Sequence, residues 1–171
     1  MLKVQEAVAT AKNTVAAQLS LVVPVVAFIV PLIVSGPQWL TGTIVNCLLF
    51  LAAVRLSGPA SGLTIVLPSI GAVGHGMLFG PFTPFLLFFL PFIWVGNWLL
   101  VACFGFFRPY VFSPVAVIVS AGAKAAFLYG AALLMVHVGW VPALFLVSMG
   151  AVQFVTAVAG GLLALAILRT A

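Results

Sequence analysis

The chain has 171 residues, 65% of them hydrophobic and only 4% charged, with a mean hydropathy of +1.41. That composition excludes an ordinary soluble domain, and the length leaves no room for a sizeable soluble module beside the membrane segments. Six Lys/Arg against one Glu give a formal charge of +5. Scattered singly, these cations read as topology signals and headgroup contacts, and no nucleic-acid partner is needed to explain them.

Continuous apolar runs, without the alternation of barrel strands, predict an all-α polytopic membrane protein: one domain, a bundle of six transmembrane helices. The first span is expected over residues 14–34, interrupted by Pro24 and Pro31. The stretch before it, Leu2–Ala17, reads as an amphipathic lead-in along the membrane surface. Its length, Glu6 and the lack of an A-x-A-like site after the apolar run make this an uncleaved span, not a signal peptide. The other spans are expected over 41–56, 59–78, 84–107, 114–138 and 142–168. Pro59, Pro84, Pro114 and Pro142 sit just inside their starts, where proline removes only a donor that would be unpaired anyway. Small residues at four-residue spacing recur: Gly122, Ala126 and Gly130 in the fifth span, Ala157 and Gly161 in the sixth. Such rows let helices approach closely in lipid. Packing within the bundle is their expected use, docking to another subunit the alternative.

The cations fix an orientation. Lys3, Lys12, Arg55, Arg108 and Arg169 fall at the chain ends and in alternate connections, while the connections around 35–40, 75–83 and 139–141 carry neither Lys nor Arg. The positive-inside rule makes the charged side cytoplasmic, so both N and C termini are expected in the cytoplasm.

Much chemistry is excluded. Cys47 and Cys103 are lone cysteines in apolar runs, which argues against a zinc or iron–sulfur site, and no metal or other cofactor is expected. No span contains Asp or Glu, so there is no carboxylate pair for acid–base work and no acidic proton relay. No phosphate-binding G-x-x-x-x-G-K-[ST] loop occurs either. The chain is not expected to be an enzyme.

What remains is a polar layer. Asn46 lies about five residues from the outer end of the second span and Asn97 about ten before Arg108, while Lys124 and Gln153 lie about ten and eleven residues after Pro114 and Pro142; at 1.5 Å per residue all four share a depth to within roughly two turns. Facing lipid, each is costly, so each is expected to face inward. The amides alone read equally as interhelical glue. Lys124 is harder to dismiss, because no span supplies a carboxylate: it is uncharged, or is held by backbone carbonyls and water, or snorkels toward an interface, or else it pairs with an anionic ligand group or a carboxylate of a partner subunit. Trp94 is expected as an apolar wall of the site. His75, in Gly74-His75-Gly76, is placed near its mouth, and the Gly- and Pro-rich segment Gly71–Pro84 reads as a gate. Trp39 and Trp140 read as interfacial anchors.

Three segments carry a family resemblance: Thr41-Gly42-Thr43-Ile44-Val45-Asn46, Leu67-Pro68-Ser69 and Leu90-Pro91-Phe92-Ile93-Trp94-Val95-Gly96-Asn97. They resemble a group of small prokaryotic six-span proteins with Gly-Pro-x-Val-Asn, Pro-Ser and Pro-Phe-Ile-x-x-x-Asn segments. Thr43 stands where that group has proline, and the stretch 75–84 has no counterpart in it. In length, span number and orientation the group is similar to the substrate-binding (S) membrane subunits of energy-coupling-factor (ECF) transporters. The resemblance implies an inner-membrane protein that captures a vitamin-like micronutrient near the external side and depends on a coupling transmembrane protein and an ATPase pair. It also implies contact with the coupling protein through small residues of the first span, where Ala7 and Ala11 are four apart.

The expected function is therefore uptake of a small solute, with Asn46, Asn97, Lys124, Gln153, Trp94 and His75 as binding residues and no catalytic or metal residues. The alternative is a membrane anchor or assembly subunit of a larger complex, redox complexes included, in which Lys124 meets a partner's carboxylate. A self-contained channel is a third reading.

Overall fold

The computed structural model describes residues 1–34 and 36–170, without the side chains of 2–4, 6–13 and 170. The side chains of Lys3, Glu6 and Lys12 and the Ala7–Ala11 spacing thus lie outside the described residues. Every regular element that is described is helical, as burial in lipid demands, since a helix satisfies its own backbone polar groups. The elements are α1 (Leu2–Ile33), α2 (Gln38–Arg55), α3 (Gly58–His75), a 3-10 turn (Gly80–Phe85), α4 (Leu86–Phe107), α5 (Ser113–His137), α6 (Leu144–Met149) and α7 (Ala151–Thr170).

Five stretches are long and apolar enough to cross a membrane: Thr14–Ile33, Gln38–Arg55, Gly80–Phe107, Ser113–His137 and Leu144–Arg169. This is a multi-pass membrane protein. The third predicted span, α3, is 18 residues long but is not one of the five. Its glycines, Pro59, Pro68 and terminal His75 dilute its apolar content.

Other expectations need correction. α1 is not interrupted: it runs unbroken through Pro24 and Pro31 and is continuous with the lead-in. The sixth span is not one helix. It breaks at Gly150, whose φ of −96° and ψ of −94° lie outside the helical region. Only Pro59 and Pro114 lie in the first turn of an α-helix; Pro84 falls inside the 3-10 turn and Pro142 precedes α6. In the segment expected as a gate, Gly71–His75 completes α3, and Thr83 ties the following turn together by accepting from Phe79 N (3.0 Å) and donating to Gly80 O (2.9 Å).

The pairings set the directions. Gly42 and Asn46 lie against Thr156 and Phe50 against Gly161, so α2 and α7 are parallel. Phe28 and Leu32 of α1 lie against Gly71 and Gly74, so α1 and α3 are parallel. Bonds from Trp94 to Ser69 and from Asn97 to Ile65 make α3 and α4 antiparallel. Arg55, Arg108 and Arg169 therefore mark one end of the bundle, and His75, His137 and the 3-10 turn the other. α2 is the hub, packing on α1, α3, α4 and α7.

Each end has its own core. Phe50, Leu100, Phe104, Val117 and Ala121 are fully buried at the arginine end. Leu86, Phe89, Leu128, Ala132 and Phe145 fill the histidine end. The small-residue rows divide. Ala157 is fully buried, and Gly160, its neighbour, lets α7 touch α2: a Cβ there would stand 2.5 Å from Thr43 O and 2.7 Å from Cys47 N. The row on α5 does not pack inside the bundle, since a Cβ on Gly122 or Gly130 would meet nothing within 4 Å.

Candidate functional site

Polar side chains from different helices converge between the two cores. Lys124 of α5 is 3% exposed, and Asn46 of α2 and Asn97 of α4 are each 1% exposed. Lys124 Nζ donates to Asn46 Oδ1 at 2.7 Å. Asn46 Nδ2 in turn donates to Thr156 Oγ1 at 3.2 Å, and the Thr156 hydroxyl donates to Val152 O at 2.8 Å. One chain of hydrogen bonds thus links α5, α2 and α7. On the other side Asn97 Nδ2 donates to Ile65 O at 2.8 Å and ties α4 to α3.

A cavity of about 80 Å³ opens between these helices, and Asn46, Asn97, Lys124 and Gln153 all line it. The depth estimate from the sequence grouped these four, and the fold brings them to one space. Its remaining wall is largely apolar, with Pro68, Ala72, Leu86 and Ile93 among its members. Leu78, Phe79 and Met149 border it from the histidine end.

Two expected site residues are placed differently. Trp94 is not a cavity wall. Its indole Nε1 donates to Ser69 Oγ at 2.8 Å, and Ser69, which passes its own proton to Val66 O, is the group that reaches the cavity. Indole needs a partner for its N–H when buried, and the serine supplies it. His75 does not line the cavity. It ends α3, where its Nε2 is buried without a hydrogen-bond partner.

The composition of the lining is unusual in what it leaves unpaired. Asn97 Oδ1 and Thr41 Oγ1 are buried, lack any hydrogen-bond partner and belong to residues that face this cavity. Each such group costs about 1–3 kcal/mol if nothing satisfies it. Lys124 adds to this: an ammonium has three donors, and one is spent on Asn46. The chain's only carboxylate side chain is Glu6, far along the sequence in the lead-in. The cavity therefore offers donors at Lys124, an acceptor at Asn97 and a hydroxyl at Thr41, and it lacks a built-in counter-charge.

Sequence reasoning missed Thr41, Ser69, Thr156 and Gln38. Ser and Thr in membrane helices usually bond to the carbonyl one turn back, as Thr64, Ser120 and Thr43 do here, so their presence alone signals nothing. Ser69 sits in the Pro-Ser segment that carried the family resemblance, and that was a signal without a role attached. Gln38 reaches from α2 to Ser148 O at 3.4 Å, just before the break at Gly150.

Comparison with protein-family models, curated proteins and solved structures returns no match.

Proposed function

We propose that this chain is the solute-binding membrane subunit of an uptake system, energised by separate coupling and ATPase subunits. In this reading all six helical segments cross a prokaryotic inner membrane, α3 included. The arginine end, with both termini, faces the cytoplasm by the positive-inside rule, and the solute arrives from the histidine end. The observation that carries the reading is the set of unsatisfied buried groups around one cavity: Thr41 Oγ1, Asn97 Oδ1 and the spare donors of Lys124. Buried polar groups are normally paired, so a space lined by several that are not calls for an occupant. A vitamin-sized solute exceeds about 80 Å³. It would need Leu78, Phe79 and Met149 to withdraw, and they belong to the least regular part of the fold.

The test is affinity purification from native membranes in mild detergent, with mass spectrometry of co-purifying proteins and small molecules. We expect an ATPase pair, a transmembrane coupling protein and a retained metabolite. Lys124→Ala should abolish metabolite retention while the protein still inserts; unchanged retention would remove this cavity from consideration.

One observation favours the second reading, a membrane anchor or assembly subunit of a larger complex. The row Gly122, Ala126 and Gly130 faces outward on α5 with space in front of both glycines, the surface a helix of another subunit would need. Recovery of other complex subunits without any metabolite would establish it.

A further inference from the structure

The cavity restricts the chemistry of what it can hold. Resting on the solute-binding reading above, we propose that its ligand is a compact monoanion that also carries a neutral O–H or N–H donor, such as a short hydroxycarboxylate or a carbamoyl carboxylate.

Charge comes first. Lys124 is 3% exposed, and its hydrogen bond goes to the neutral carboxamide of Asn46. That bond orients the ammonium but does not cancel its charge, and a buried uncompensated cation is strongly unfavourable. An anionic group placed beside Nζ supplies the missing charge and accepts the remaining donors. A second negative charge would find no second cation, since the rest of the wall offers only neutral groups: the amides of Gln38 and Gln153, the hydroxyls of Thr41 and Ser69, and apolar side chains. Hence a monoanion.

The donor follows from Asn97. Its Nδ2 is held by Ile65 O, which turns Oδ1 away from that bond, buried and unpaired. A carbonyl oxygen only accepts. A ligand without a donor, such as a simple fatty acid anion or an inorganic anion lacking hydrogen, would leave that oxygen stranded. Thr41 Oγ1, also unpaired, can accept the same donor or give its proton to the ligand. A zwitterion fits poorly, because its own ammonium would restore the net positive charge that the site has to lose.

Size completes the class. A water needs about 10–15 Å³ of such space, so about 80 Å³ holds roughly five to eight water-sized groups. Lactate and oxamate fall in that range and carry both features.

The experiment uses the full-length protein in lipid nanodiscs and follows its thermal unfolding against lactate, oxamate, propionate, lactamide and glycine. We expect lactate and oxamate to raise the midpoint with concentration. Their apparent affinity should exceed by at least tenfold that of propionate, which lacks the donor, lactamide, which lacks the charge, and glycine, which is zwitterionic. Lys124→Gln should lower lactate affinity more than tenfold. Thr41→Val removes a hydroxyl that bonds to nothing in the fold, so the variant keeps its structure and isolates the ligand contact; a three- to tenfold loss is expected.

Equal binding of propionate or lactamide would overturn the proposed class and leave the solute reading intact. So would silence from the whole panel while native protein carries a metabolite of another kind. Silence from the panel together with native protein that carries no metabolite would remove both. Unchanged lactate affinity in Thr41→Val and Lys124→Gln would show binding elsewhere and overturn the assignment to this cavity.

Discussion

The arginine end and the histidine end are built on different principles. At the arginine end Gly161 of α7 lets the side chains of Phe50 and Val117 close on it, and Phe50 meets Phe104 edge-on with ring centres 4.8 Å apart. Long α-helices run through it. The histidine end is filled largely by aromatic rings, although α1 and α3 also meet there backbone to backbone at Phe28 O and Gly71. Phe145 stacks on Phe89 at 5.1 Å and touches Phe79 and Phe85, while the backbone there includes a 3-10 turn and a helix broken at Gly150. Long regular helices hold each other in one register, whereas rings on short irregular segments can part and rejoin. The polar cavity lies at the boundary, its floor fixed by one end and its cover made by the other.

The largest expected effect is where α7 crosses α2. Gly160→Leu forces α2 and α7 apart and should destabilise the protein by about 3 kcal/mol or more, read as loss of monodisperse protein and a lower unfolding midpoint in detergent. A well-folded variant would mean that α2 and α7 can part without loss. Next is the boundary. Asn46→Leu strips Lys124 of its acceptor and Thr156 of its donor, at about 2–3 kcal/mol. Adding Lys124→Met should return more than 1 kcal/mol of that loss, since coupled sites are not additive; strict additivity in the double-mutant cycle would deny the connection across three helices. At the irregular end, Phe79→Ala removes a half-buried ring that packs on Phe145 and should cost about 1–2 kcal/mol, while speeding access. In a protein lacking Cys47 and Cys103, a cysteine introduced by Thr41→Cys would react with a polar thiol reagent several-fold faster, and an unaltered rate would place the cover elsewhere. The smallest effect is outside both cores. Gly130→Ala meets open space and should change the isolated protein's stability by under about 1 kcal/mol in the favourable direction. If it also blocks recovery of partner proteins, that face is a docking surface.

The regular part of this contrast was legible in the sequence, and of the irregular part only the Gly- and Pro-rich segment Gly71–Pro84 was. Single arginines at alternate connections marked one end, and helix rise then placed Asn46, Asn97 and Lys124 at one depth. Depth says nothing about azimuth, however. Trp94 was assigned to the wall because its level was right, but rotation about α4 turned its N–H to Ser69. The break at Gly150 had no local signal, for no proline stands within α6 or α7, and glycine in a membrane helix is ordinary. Conversely, Pro24 and Pro31 look like breaks but do not interrupt α1, whose neighbours α3 and α2 hold it on course. Thr41 was invisible for a different reason. Whether a threonine satisfies itself one turn back is decided by its surroundings, and only the three-dimensional arrangement separates Thr41 from Thr43.

The hydrogen-bond chain from Lys124 has a direction, and that direction carries meaning beyond holding helices together. An ammonium can only donate, so the amide of Asn46 must turn its oxygen toward α5 and its nitrogen toward Thr156. Thr156 must then accept there and send its own proton to Val152 O. One charge thereby dictates the orientation of an amide and a hydroxyl on two other helices. Put a carboxylate at position 124 and every arrow reverses: the amide turns over, the hydroxyl proton leaves Val152 O, and α7 loses a bond it makes with itself. The fold reads the sign of a single side chain as a compass needle reads a pole.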